Sequence, residues 1–425
     1  MVREPFEEQL IMDLDRRSLL AVGAVAATLS VAAPLRARDQ ATIQSISAMT
    51  VAPDGRLIVA DWRAGALHTL TLPTAPASSG PGAFNLTGLD AALAAVGPGR
   101  ARATALVWDG VHNRAVIALE AAGRPFLALA LNDGTFVTLD PDSAIAASTP
   151  LEDPPGEALI WGSTPVRSLT VTSLAWQGNT LLVAGVANTD FSSTLRRIAY
   201  PFGSATTKTR IEMYHAVHNQ IETRAPIRAM TTVTLNGVDH LLAAYTCTPL
   251  VTLPLSALAD GTAVRAKTIA ELGFGNTPLS VTPFAIVYQG QRSDWVLVAN
   301  AAKSADLIPL PAIAAAATGA GLSTPVKAPF EQFAGVQAIP VPLGNLVAMV
   351  DQGPLFLLGL RRDVEDGALQ FVSFRKGAFF RLSDFVNEYD MPGYSYPADD
   401  SFQQGYIRPF HAMMKRDEGH ADLIR

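Results

Sequence analysis

Short apolar runs of about five residues, separated by polar turns, make up most of this chain. Between residues 46 and 72, for example, the polar segment 52–56 divides two apolar runs. Its Asp54-Gly55 pair is typical of a tight hairpin turn, because these residues accept the positive φ that such turns need. The pattern therefore predicts an antiparallel hairpin whose second strand covers residues 57–61.

Further copies of this strand–turn–strand pattern follow at intervals of about 50 to 70 residues. Their second strands are predicted at residues 116–120, 181–185, 241–245, 295–300 and 346–351. Self-similarity at such a period in a nearly all-β chain is typical of β-propellers. We predict an all-β fold, a six- or seven-bladed β-propeller over residues 41–375. Residues 368–374 either add a seventh blade or complete the sixth, and we expect the strand near 43–49 to pair with C-terminal strands in one blade.

Three segments differ from the repeat. Residues 73–99, rich in Pro, Gly, Ala and Ser, predict a long loop between blades with a short helix at 89–96. Residues 312–321 are rich in alanine and predict a short helix or a loop. The C-terminal tail, residues 376–425, is both aromatic and charged. It predicts an irregular segment that either covers one face of the propeller or docks a protein partner.

Two blade segments resemble known propeller families. The sequence of residues 52–61, APDGRLIVAD, resembles the blade signature of NHL-repeat and gluconolactonase-like or regucalcin-like propellers. The sequence of residues 295–300, WVLVAN, is similar to a strand of YVTN-type surface propellers. The resemblance implies the propeller fold and no single function, because such blades occur in hydrolases, binding proteins and scaffolds.

The N-terminal residues have the layout of an export signal. Arg16-Arg17 precede a short apolar run rich in small residues, residues 21–33, which is typical of the bacterial twin-arginine route. We predict a signal segment over residues 1–37, cleaved near residues 32–37, and a periplasmic mature protein. If the segment is not cleaved, residues 19–35 would instead anchor the protein in the membrane.

Composition excludes several classes of protein. The formal net charge is −6 and no basic run follows the predicted signal, so nucleic acid is excluded as a partner, because phosphate binding needs clustered Lys and Arg. Cys247 is the single cysteine, so the chain forms no internal disulfide. The sequence contains no c-type haem motif, no Gly-x-Ser-x-Gly elbow and no phosphate-binding glycine loop.

Polar residues follow or end most of the predicted second strands. In gluconolactonase-like and paraoxonase-like propellers, comparable residues converge on a divalent cation, and oxygen donors of this kind suit Ca²⁺. The resemblance therefore implies a calcium site at the channel mouth and a metal-dependent, lactonase-like hydrolase. Alternatively, each strand simply ends in a polar residue that favours a turn. The candidate ligands are Asp61, Glu120, Asn188, Asn300 and Asp351.

A second candidate site combines His215, His218, Glu222 and Cys247. In a helix, the two histidines would share a face and bind copper or zinc with the carboxylate and the thiol. In a strand they would point to opposite faces unless the chain bends. The alternative interpretation is two surface histidines and a small buried cysteine. This set predicts a copper- or zinc-binding, redox-associated protein.

A Pro–β-branched–Arg pattern occurs twice, ending at Arg167 and at Arg228. If both residues begin innermost strands, their guanidinium groups would bind a small anionic molecule, a carboxylate or a phosphate. Alternatively, both form structural salt bridges. Two classes of function thus stay open: a metal-dependent hydrolase, and a non-catalytic binding or assembly propeller.

Overall fold

The computed structural model describes twelve ranges of the chain, all within the unit Ala41–Arg425. The predicted signal segment and the tail from residue 379 onward lie outside the described residues. Within those residues, no helix has the length and apolar character needed to cross a membrane. The described ranges are 42–74, 82–97, 100–188, 192–203, 206–247, 249–273, 276–288, 290–302, 304–326, 333–341, 343–363 and 366–378.

Six four-stranded antiparallel units account for most strands of the described chain. Unit 1 contains β1 (Ala48–Val51), β2 (Leu57–Asp61), β3 (Ala66–Leu70) and β9 (Ile145–Pro150). Unit 2 contains β5 (Arg102–Asp109), β6 (Arg114–Ala121), β7 (Arg124–Ala130) and β8 (Phe136–Leu139). Unit 3 contains β12 (Ser173–Gln177), β13 (Thr180–Ala187), β14 (Ser192–Ala199) and β15 (Thr206–His215).

The other three units repeat the arrangement. Unit 4 contains β17 (Ile227–Leu235), β18 (Val238–Tyr245), β19 (Pro249–Pro254) and β20 (Thr262–Leu272). Unit 5 contains β21 (Pro278–Tyr288), β22 (Gln291–Asn300), β23 (Ala305–Pro309) and β25 (Ile339–Val341). Unit 6 contains β26 (Leu346–Asp351), β27 (Phe356–Arg362), β28 (Leu369–Arg375) and β4 (Asn85–Leu86).

The remaining elements are short. A small hairpin, β10 (Ile160–Trp161) and β11 (Thr164–Pro165), precedes unit 3. Strands β16 (Gln220–Glu222) and β24 (Phe333–Gly335) extend β15 and β20. Helices α1 (Leu89–Val96) and α2 (Leu310–Thr318) confirm the helix predicted at 89–96 and the helical alternative for the alanine-rich segment. One-turn 3₁₀ helices lie at Pro141–Ala144, Val166–Leu169, Leu255–Ala257 and Lys376–Ala378.

The first strands of the six units contact one another in a closed ring. Their cyclic order is β1, β12, β17, β21, β26 and β5, so unit 2 lies between units 6 and 1. A ring of antiparallel four-stranded meanders with their first strands innermost is a β-propeller, which confirms the predicted fold class. Strand β28 is the third strand of unit 6, so residues 368–374 form no further blade.

Two exchanged outer strands close the ring. After β3 the chain forms β4, which pairs with β28 of unit 6. It then forms unit 2, and β9 afterwards pairs with β3 to complete unit 1. The expectation that the strand near 43–49 pairs with C-terminal strands is wrong, because β1 pairs with β2 and the C-terminal β28 pairs with β4. A two-residue strand such as β4 has no hydrophobic period from which its partner can be predicted.

The first and second strands of each unit are joined by a turn at one end of the unit, which we call the turn end; the other end is the open end. The predicted second strand at residues 346–351 is wrong, because it is the first strand of unit 6 and Asp351 pairs with Leu357 near the turn end. Gly344-Asn345 has the sequence of a hairpin turn, and Asn345 takes the positive φ of 56° that such turns need, but this pair lies between units 5 and 6. The hairpin turn itself contains Gly353, whose φ is 80°.

The core lies between adjacent units. Strand β2 is buried along its whole length, and its Leu57 packs in one cluster with Leu129 of unit 2. Leu297 of unit 5 packs in the same way with Leu357 of unit 6. Burial of one such leucine contributes about 2 kcal/mol. The apolar contacts between adjacent units hold each unit against its neighbours, and so they position the residues at the ends of the strands.

Candidate metal centre

Strand β15, the outer strand of unit 3, ends at His215, and the chain then reverses into β16. His215 pairs with Gln220 across this reversal, and Asn219 takes a positive φ of 51° within it. The segment is therefore neither a helix nor a continuous strand. Because the chain bends, His218 and Glu222 return to the side of the strand on which His215 lies.

The two imidazole rings share one carboxylate. Their centroids are 3.9 Å apart, and the Oε1 atom of Glu222 lies 2.9 Å from Nδ1 of His215 and 2.6 Å from Nδ1 of His218. Burial alone would raise the pKa of Glu222, but the hydrogen bonds from both histidines outweigh it and lower the pKa to about 2. An ionised carboxylate accepts hydrogen bonds only, so each Nδ1 carries the proton. In the neutral tautomer that carries its proton on Nδ1, the Nε2 atom of each ring has a lone pair that can bind a metal.

Cys247 approaches these rings from the neighbouring unit. It follows β18 of unit 4, has a positive φ of 64°, and its N–H donates to the carbonyl of Asn276 at 2.8 Å. One nitrogen of each histidine and Sγ of Cys247 all lie within 4.8 Å of one another. Across the described ranges, no other three His, Cys, Asp or Glu residues form such a group. The candidate centre therefore lies between units 3 and 4.

Glu271 is a residue that the sequence interpretation missed. It lies in β20, which pairs in parallel with β15 and so connects unit 4 to unit 3. Its Oε1 accepts from the N–H of Ala216 at 2.7 Å, while its Oε2 has no hydrogen bond and lies 3.9 Å from the unpaired Nε2 of His215. Burial raises the pKa of Glu271. The sequence signal was a single acid within the apolar run 269–272.

The geometry is close to that of a tetrahedral zinc site. Zn–N and Zn–S bonds of about 2.0 to 2.3 Å place neighbouring ligand atoms about 3.3 to 3.6 Å apart. The three candidate ligand atoms lie within 4.8 Å of one another, so their separations exceed these values by at most about 1.5 Å. His215 is buried, whereas the side chain of His218 is 41% exposed and Cys247 is partly exposed in a turn.

At the open end of unit 1, the buried carboxylate of Asp61 binds its own loop. It accepts from the Gln44 N–H and the Ser45 hydroxyl, both at 2.6 Å, and from the N–H groups of Arg63 and Ala64, both at 3.1 Å. These four donors occupy the lone pairs that a cation would use. The structure therefore gives Asp61 a clear role in holding the entry to unit 1.

The other residues of the predicted calcium set lie in separate units. Glu120 pairs with Arg102 at 3.1 Å, Asn188 is exposed beyond β13, and the buried Nδ2 of Asn300 donates to Asp306 at 2.9 Å. Asp351 binds Lys376 at 2.9 Å at the turn end of unit 6, whereas the other four candidates lie at open ends. Burial raises the pKa of Asp351. A calcium site at the channel mouth stays a prediction.

The two arginines of the repeated pattern occupy different settings. Arg167 lies in a 3₁₀ helix and donates to the carbonyls of Arg63 at 2.8 Å and Pro155 at 2.9 Å. Arg228 is on the innermost strand β17, at a bulge, and burial lowers its pKa. Only Arg228 therefore begins a first strand, and anion binding by this pair stays a prediction.

The comparisons with known proteins assign the chain to no family. No family model and no curated protein matches the chain. Among solved structures, the chain is similar to extracellular domains 1–2 of Drosophila Semaphorin 1b (TM-score 0.34, 10% identity, covering 79% of this chain and 88% of that chain). It is also similar to a chain of a mitotic checkpoint complex (TM-score 0.31, 10% identity, covering 84% and 100%). The propeller assignment therefore rests on the strand topology of this chain.

Proposed function

We propose that this protein is a binding propeller whose ligand is a late transition-metal ion, Zn²⁺ or copper, bound between units 3 and 4. The proposed ligands are His215, His218 and Cys247. The observation that carries the proposal is the single ionised carboxylate of Glu222, which accepts from Nδ1 of both histidines. This carboxylate–histidine arrangement orients imidazoles for metal binding in many metalloproteins.

The donor types determine the class of metal. Imidazole nitrogen and thiolate sulfur suit zinc and copper, whereas calcium takes six to eight oxygen ligands. Cys247 must lose its proton to bind, so metal uptake releases a proton and strengthens as pH rises. Glu271 supports the proposal as a fourth donor, because its unpaired Oε2 is buried beside the unpaired Nε2 of His215. Leaving two such atoms without partners costs about 1 to 3 kcal/mol each.

Titration of the metal-free protein with Co²⁺ tests the proposal. Cobalt substitutes for zinc in tetrahedral sites, and a thiolate ligand gives a charge-transfer absorption that a site of nitrogen and oxygen donors lacks. We expect one equivalent of Co²⁺ with this band in the wild type. Cys247→Ser should lose the band, and His218→Ala should bind about 100-fold more weakly, as expected for loss of a ligand with its oriented partner.

His112→Ala is the matched control. His112 is also bonded through Nδ1 to a carboxylate, Asp109, at 2.8 Å, but it lies in unit 2 and belongs to no group of ligands within the described residues. The His112→Ala variant should bind Co²⁺ with the same affinity and the same absorption band as the wild type. A wild type that takes up no Co²⁺, or a band that survives in Cys247→Ser, would refute the proposed site.

A further inference from the structure

Four consecutive units expose an aliphatic side chain where their first and second strands are joined. The exposed residues are Val238 in unit 4 (45%), Val287 in unit 5 (68%), Leu355 in unit 6 (52%) and Val111 in unit 2 (72%). The first strands of these units contact one another in this order, so the four residues follow one side of the ring. We call them the aliphatic arc. The corresponding turns of units 1 and 3 are polar, with Asp54-Gly55-Arg56 and Gly178-Asn179.

The described chain ends beside this arc. Arg375, the last residue of β28, pairs with Phe356, and the N–H of Lys376 donates to the carbonyl of Leu355 at 3.0 Å. The Lys376 ammonium binds Asp351 at 2.9 Å and lies 5.8 Å from the centre of the Phe284 ring in unit 5. The chain is therefore fixed at the turn end of unit 6, pointing into the side of the ring that carries the arc.

The 47 residues that follow have the composition of a covering segment. Nine of them are Phe or Tyr, all between residues 379 and 410, whereas aromatic residues make up 7% of the whole chain. Each aromatic side chain buries about 150 to 250 Å² when it packs. An extended chain advances about 3.3 Å per residue, so the 32 residues 379–410 can reach up to about 105 Å. The aromatic segment is thus long enough to pass over all four units.

We propose that residues 379–410 lie across the aliphatic arc of the same molecule. The attachment at Lys376 gives the segment a high effective concentration at the arc, which a separate partner lacks. Its aromatic rings would remove Val111, Val238, Val287 and Leu355 from water. This inference is independent of the metal centre, which lies at the other end of the strands between units 3 and 4.

Photo-cross-linking in the full-length protein tests the inference. A benzophenone amino acid at Val287 should cross-link to peptides from residues 379–410 of the same chain, as identified by mass spectrometry. The same probe at Ile160 is the control, because this residue is 54% exposed but lies in the β10–β11 hairpin, which leads into Arg167 and its contact with Arg63 at the open end of unit 1. Cross-links from position 287 only to a second copy, or to no tail peptide, would overturn the proposal.

A charge within the arc gives a second readout. Val287→Asp should release the segment, so that chymotrypsin cleaves after its aromatic residues about tenfold faster, since proteolysis follows the open population. Ile160→Asp should leave the cleavage rate unchanged. Equal rates in wild type, Val287→Asp and Ile160→Asp would contradict the proposal. If Val287→Asp does not fold, which its thermal transition would reveal, the cross-linking result decides.

Discussion

Replacement of Glu222 by glutamine tests whether this carboxylate holds the two imidazoles. The pKa of Glu222 is about 2 in the folded protein and 4.5 for an ordinary glutamate. A group whose folded pKa is lowered contributes stability above its unfolded pKa, and this contribution is lost as pH falls through the folded pKa. The contribution of Glu222 is therefore complete above about pH 4.5 and absent below about pH 2.

The magnitude follows from the same two values. At about 1.4 kcal/mol per pKa unit, the difference between the folded and the ordinary pKa of Glu222 corresponds to about 3 kcal/mol. The side chain of Glu222 is 15% exposed, so solvent screening reduces the expected contribution to about 2 kcal/mol. Glu222→Gln should thus lower the free energy of unfolding of the metal-free protein by about 2 kcal/mol at pH 7 and by almost nothing at pH 2.

Urea unfolding of wild type and Glu222→Gln at several pH values between 7 and 2 measures this difference. Glu212→Gln is the matched control, because Glu212 is on β15, the strand that pairs with β16, and makes a surface ion pair with Arg265 at 3.3 Å. Such a surface pair contributes about 0.5 kcal/mol. A stability difference for Glu222→Gln that is the same at pH 7 and pH 2.5 would refute the reasoning.

Three further changes give separate tests. In the wild type, the buried guanidinium of Arg196 pairs with the carboxylate of Asp153 at 3.0 Å. Asp153→Ala removes that carboxylate, and urea unfolding should show that the free energy of unfolding falls by about 3 kcal/mol. Gly185→Ala places a Cβ 2.0 Å from a backbone carbonyl oxygen, and calorimetry should show a loss of about 3 kcal/mol or failure to fold. Changing Arg16 and Arg17 to lysine should leave precursor in the cytoplasm, which immunoblotting of cell fractions measures; normal periplasmic yield would contradict the predicted signal.

The fold could be predicted from the sequence wherever a strand and its turn are local. The Asp54-Gly55 turn and the buried strand 57–61 are both present as predicted. The sixth copy was displaced by one strand, because the turn-like Asn345 precedes the first strand of unit 6 and not the second. The exchange of β4 and β9 between units could not be predicted, since it depends on pairings between residues far apart in the chain.

The sequence identified four residues of the candidate centre but not how they are arranged. His215, His218, Glu222 and Cys247 were identified from residue type and spacing. The bend that brings both histidines to one carboxylate, and the approach of Cys247 from the next unit, depend on the parallel pairing of β15 with β20. The secondary-structure propensities of the residues do not predict a contact between the outer strands of two units. Glu271, which lies on one of these strands, could therefore not be identified from the sequence.

Metal analysis of the purified protein, after exposure to equal concentrations of zinc, copper and calcium and removal of unbound ions, tests the central claim most directly. We predict one zinc or copper ion per chain in the wild type and in Glu120→Ala, and less than about a tenth of that in Cys247→Ser. Calcium that is bound by the wild type, retained by Cys247→Ser and lost in Glu120→Ala would contradict the account and favour the channel-mouth site.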